Sequence, residues 1–84
     1  MNELEILKKK LIYRSNYRGT KEMDILLSGF VKKNIDKFDE TQLNELDKFL
    51  DLKDDVILNY YHHGIVEEDI DKNKISKIFK DHLF

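Results

Sequence analysis

Apolar residues recur every three or four positions along nearly the whole chain, the spacing of helices buried on one side. Leu4, Leu7 and Leu11 predict a first helix over roughly residues 3–15. Met23, Leu26, Leu27, Phe30 and Val31 form the i, i+3, i+4, i+7, i+8 stripe of a second, core-facing helix. A third has a readable start: Asp39 suits an N-cap, Gln42 stands where a capping box needs it, and Phe38 and Leu43 occupy the hydrophobic-staple positions. Its stripe continues through Leu46, Phe49 and Leu50. Asp54 or Asp55 is expected to cap a fourth helix running through Ile57, Leu58 and Tyr61, with Gly64 as its left-handed end after His63. Glu67, Glu68 and Asp69 place negative charge where a fifth helix is expected to begin, with Ile75, Ile78 and Phe79 as its anchors. Strand-like alternation and Asn-Gly hairpins are absent. The pattern predicts an all-α, compact five-helix bundle, a single domain over residues 1–84.

Composition limits what such a bundle does. At 84 residues, 40% hydrophobic and 38% charged, a solid bundle with a working surface is expected rather than a deep catalytic pocket. The absence of cysteine excludes disulfides, thiolate nucleophiles and cysteine metal sites, and fits a reducing compartment. No apolar run approaches the roughly 18 residues that span a membrane. The opening MNELEILKKK lacks a signal or transit-peptide pattern, so a cytoplasmic location is expected, without membrane insertion.

Charge is unevenly spread. Residues 1–33 carry eight Lys/Arg against four Asp/Glu, and residues 34–55 carry three against eight. That polarity suits orientation on a protein partner better than nucleic-acid binding, which calls for a basic domain. Lys8, Lys9, Lys10 and Arg14 make the basic end, read either as a solvated face or as a patch for an acidic protein. No aromatic platform accompanies the lysines, as single-stranded nucleic acid would require. His62 and His63 are adjacent, so on a helix they diverge by about 100°, unlike metal ligands, and read as surface histidines. Ser15, Ser28 and Ser76 lack the surroundings of a nucleophile, and Gly19, Gly29 and Gly64 stand alone rather than in a phosphate-binding loop.

The stretch Tyr17-Arg18-Gly19-Thr20-Lys21-Glu22-Met23-Asp24-Ile25 stands apart. With Met23 at 0° and about 100° per residue, Ile25, Gly29 and Glu22 fall near about 200°, 240° and 260°, away from the core stripe. A cation, an anion, an aliphatic group and a bare backbone would then share one face, open to another chain's backbone. The alternatives are an Arg18–Glu22 ion pair worth about a few tenths of a kcal/mol, or Ile25 packed within the bundle.

Arg18, Gly19 and Glu22 spell R-G-x-x-E, followed by Met23-Asp24-Ile25-Leu26-Leu27 and, later, by the acidic opening and aromatic close of Asp54-Asp55-Val56-Ile57-Leu58-Asn59-Tyr60. Over roughly residues 7–63 this resembles the SdhE family, the FAD assembly factors of succinate dehydrogenase. Tyr17 and Thr20 stand where many members have a basic residue and Met, and Tyr60 takes the place of a tryptophan. The resemblance implies a five-helix factor, not an enzyme, that docks on the flavoprotein subunit of succinate dehydrogenase or fumarate reductase. It implies action on FAD held by that partner, where a flavoprotein histidine joins the 8α-methyl carbon of the flavin, and no cofactor of the chain's own. On the same reading Gly19 permits close approach, Arg18 reaches polar groups of the partner, and Glu22 orders the flavin-proximal site. Arg14, Tyr17, Asp24 and Ile25 flank the contact. Gly19→Arg is expected to block docking while leaving the fold intact. A helical adaptor using Arg18, Gly19 and Glu22 for an unrelated protein is the alternative.

Overall fold

In the computed structural model, which describes residues 2–82, four of the five α-helices begin where a polar side chain accepts a free N–H group. Helix α1 spans Glu3–Asn16, with Asn2 accepting from the Glu5 amide at 2.8 Å. A four-residue turn leads into α2, Lys21–Asn34, whose N-cap Thr20 accepts from the Met23 amide at 3.2 Å. A connection this short makes α2 the packing neighbour of α1. Asp39 and Gln42 close the expected capping box at 2.8 and 3.0 Å, opening α3, Glu40–Phe49. Helix α4 is Asp54–His63 and ends on Gly64 at φ +67°, the left-handed conformation its position predicts.

Two helix starts differ from expectation. Neither Asp54 nor Asp55 caps α4; the N-cap is Lys53, without a side-chain bond. Asp55 turns to the Val56 amide at 3.0 Å, and Asp54 is taken by an arginine from another turn. Nor do Glu67, Glu68 and Asp69 begin a helix. Glu68 and Asp69 sit at φ +50° and +58°, which no right-handed helix contains, and a single 3-10 turn follows at Ile70–Lys72. Helix α5 starts only at Lys74 and runs to Lys80. Asn73 decides the start, because it caps the Ile75 amide at 2.8 Å while donating to the Glu45 carbonyl of α3 at 2.9 Å. That pair of bonds anchors α5 to its neighbour, which acidic residues at 67–69 could not do.

The five predicted helices are present, and the described residues contain no strand. The radius of gyration, 12.0 Å, is that of a compact fold of this length. Met23, Leu26, Leu27, Phe30 and Val31 are all buried, together with Leu11, Leu43, Leu46, Phe49 and Ile57. Phe79 of α5 lies at the centre, with ring centroids 5.0–5.2 Å from Phe30, Phe49 and Tyr61, so that one side chain joins α2, α3, α4 and α5. Ile78, an expected anchor, is instead 36% exposed; Ile75 and Phe79 are the apolar anchors of α5.

Candidate functional site: an exposed face beside the Arg-Gly turn

Arg18 belongs to the turn before α2, not to its first turn, and its side chain points into the protein. Only 12% exposed, it donates from Nε to Asp54 Oδ1 at 3.0 Å, from Nη1 to the Leu50 carbonyl at 2.6 Å and from Nη2 to the Leu52 carbonyl at 2.8 Å. Its own amide donates to Asp24 Oδ1 at 2.6 Å. The guanidinium therefore clamps the α1–α2 turn to the α3–α4 connection. Its fork matches two carbonyls and a carboxylate at once, which an ammonium cannot do.

That clamp fixes Gly19, which adopts φ +112°. A side chain there would find room, since a Cβ would meet its nearest neighbour, Asp54 Oδ2, at 4.0 Å. The obstacle is the backbone: φ +112° is strained for any L-residue. Any side chain at Gly19 thus strains the turn, so the loss of docking expected of Gly19→Arg would come with some loss of stability.

From this turn α2 carries the predicted stripe outward. Glu22 and Gly29 are exposed, Ile25 is 49% exposed, and a Cβ at Gly29 would meet nothing within 4 Å. Ile25 is not packed within the bundle, and Glu22 does not pair with Arg18. Glu22 Oε1 lies 3.2 Å from Nε2 of His62 at the end of α4. Together Glu22, Leu26, Tyr61 and His62 line a pocket of about 230 Å³ between α2 and α4. Neither Tyr61 nor His62 was singled out from sequence as part of this site. His62 meets Glu22 across forty residues of chain, and no local spacing announces a contact made only when α4 packs beside α2.

The other predicted residues divide. Tyr17 is 76% exposed and packs at a tilt against the exposed Tyr13, 5.4 Å between ring centroids. Arg14 bonds to the carboxylates of Asp47 and Asp51 and, at 3.1 Å, to the Asp47 carbonyl. Asp24 is half-buried on the Arg18 amide. Lys8 pairs with Asp36 at 3.4 Å and Lys10 with Asp47 at 3.5 Å, so much of the basic end faces the chain's own acids. Among the described residues no group of three His, Asp or Glu side chains is placed to hold a metal.

Fold and face together define a small all-helical protein that presents an exposed stripe beside a glycine turn. The family described as flavinator of succinate dehydrogenase (Sdh5) matches residues 9–83, and the chain belongs to it. It is 41% identical over 81 residues to succinate dehydrogenase assembly factor 2, mitochondrial, of Scheffersomyces stipitis, covering 92% of this chain and 52% of that one. The protein of the same name in Dictyostelium discoideum is 42% identical over 60 residues, 71% of this chain and 43% of the relative. The FAD assembly factor SdhE of Acetobacter pasteurianus is 36% identical over 53 residues, 63% of this chain and 49% of the relative. The chain thus spans about half the length of the curated relatives it matches.

Proposed function

We propose that this chain acts as a single-domain assembly factor. It binds the flavoprotein subunit of succinate dehydrogenase, or of a related fumarate reductase, and promotes covalent attachment of the FAD held there. The observation that carries the proposal is the exposed Glu22–Ile25–Gly29 stripe, set beside a Gly19 turn that Arg18 locks from within. Membership of the flavinator family supports the choice of partner.

The proposed role is orientation without catalysis. A rigid face holding the partner's histidine and flavin in register lowers the entropic part of the barrier without contributing a reacting group. Tyr17, Gly19, Glu22 and Ile25 are the proposed contacts, with Arg14 and Asp24 flanking. Arg18 serves by fixing the turn. The proposed compartment is the cytoplasm; the eukaryotic relatives are named mitochondrial. No helix among the described residues is long and apolar enough to cross a membrane.

Covalent flavin on the flavoprotein, read by in-gel fluorescence after denaturation, tests the proposal. A strain lacking this protein is expected to show less attached flavin at equal flavoprotein level. Wild-type fluorescence in that strain would overturn a required role.

A further inference from the structure

The pocket between α2 and α4 has a chemistry that the docking reading leaves unassigned. Leu26 and the Tyr61 ring give it apolar walls, and the Tyr61 hydroxyl is already engaged, donating to the His82 carbonyl at 2.6 Å. Glu22 brings a carboxylate, met among the described residues by a single ring nitrogen of His62 at 3.2 Å. Both side chains are about half exposed, 59% for Glu22 and 47% for His62, so this pair is weak and exchangeable. At about 230 Å³ the pocket falls below the roughly 300–1,000 Å³ of small-molecule sites, which argues against the flavin cofactor as its occupant.

We infer that this pocket seats one cationic side chain, arginine or lysine, of the docked flavoprotein. Its charged head replaces His62 as the partner of Glu22, and its methylene stem lies against Leu26 and Tyr61. The inference rests on the proposed docking face and adds what that face recognises. An apolar wall beneath a weakly held carboxylate suits a side chain that is apolar along its stem and charged at its tip. Exchange of a single ring nitrogen for the several N–H donors of a guanidinium or ammonium favours the bound state, and the Tyr61 ring adds attraction for a cation above its face. An acidic side chain would meet repulsion from Glu22, so the pocket also selects the orientation of docking.

Equilibrium binding of the full chain to purified flavoprotein, at low and high salt, tests this with three variants at exposed or half-exposed positions, each checked by thermal melting. Glu22→Gln keeps the shape of the carboxylate without its charge. It is expected to weaken binding by about tenfold or more and to flatten the salt dependence. His62→Ala leaves the Glu22 charge in place and is expected to bind within about threefold of wild type. Gly29→Arg, on the same face but outside the pocket, is expected to abolish binding through the bulk and charge it adds there. If Gly29→Arg abolishes binding while Glu22→Gln binds like wild type, the cationic occupant is overturned and the docking face stands. Equal losses in Glu22→Gln and His62→Ala would make the pair a structural one and also overturn the assignment. Normal binding by Gly29→Arg, or no binding by wild type, would overturn the docking face and the pocket's role with it.

Discussion

Gly19 and Gly29 lie ten residues apart on one surface and are glycine for different reasons. Gly19 is held at φ +112° by its turn, whereas Gly29 is helical with open space beyond its Cα. Opposite stability effects follow from one substitution. Gly19→Ala is expected to lose about 1–3 kcal/mol, the cost of a side chain in a sparsely allowed backbone region. Gly29→Ala is expected to gain about 0.5–1 kcal/mol, because alanine loses less backbone freedom in a helix and here meets no neighbour. Urea denaturation of both variants beside wild type reads the sign directly; a loss at Gly29 would mean its face is already covered. The helical wheel placed Gly29, Ile25 and Glu22 correctly, because side-chain direction on a helix follows from residue number alone. The conformation of Gly19 was hidden, since a turn's dihedral angles depend on what clamps it.

Arg18 acts between elements. It carries the start of α2 against the end of α3 and the start of α4, through bonds to Leu50, Leu52 and Asp54 that lie 32 to 36 residues away. Removing it leaves two carbonyls and a carboxylate without their donor. Arg18→Ala is therefore expected to lower stability by about 2–3 kcal/mol, and Arg18→Lys to restore only part of that, since an ammonium lacks the fork. Thermal melts of both variants check this; full stability in Arg18→Lys would show that charge alone suffices. The same contact explains which helix starts were legible. The capping box of α3 lies within four consecutive residues, Asp39 to Gln42, and can be read locally. Asp54 resembles a cap from its neighbours, but a distant guanidinium takes its carboxylate. The α5 start was misplaced for a similar reason: Asn73 joins it to Glu45 of α3, a partner no local window contains.

Across the whole molecule, the basic first third and the acidic middle pair with each other, largely at the surface, through Lys8–Asp36, Lys10–Asp47, Arg14 with Asp47 and Asp51, and Arg18–Asp54. Charge polarity along the chain was legible; its pairing was not, because it depends on how α1 and the turn after it pack against later elements. At the other end of the chain, His82 lies edge-on to Phe30 at 5.4 Å, and its carbonyl accepts from Tyr61. Burial lowers the His82 pKa from its ordinary 6.5, and the nearby positive charge of Lys33 lowers it further. Between the lowered folded value and 6.5, the unfolded chain binds more protons at this site than the folded one. Stability from His82 is thus fully present above about pH 6.5 and declines as pH falls through 6.5 toward and past the folded value. His82→Gln removes this titration while leaving the other histidines and carboxylates unchanged. The expected outcome is a smaller loss of urea midpoint in the variant than in wild type between mildly alkaline and mildly acidic buffer. An equal loss in both would mean that the imidazole protonates as freely in the fold as in the unfolded chain, and that the contact with Phe30 does not exclude its charge.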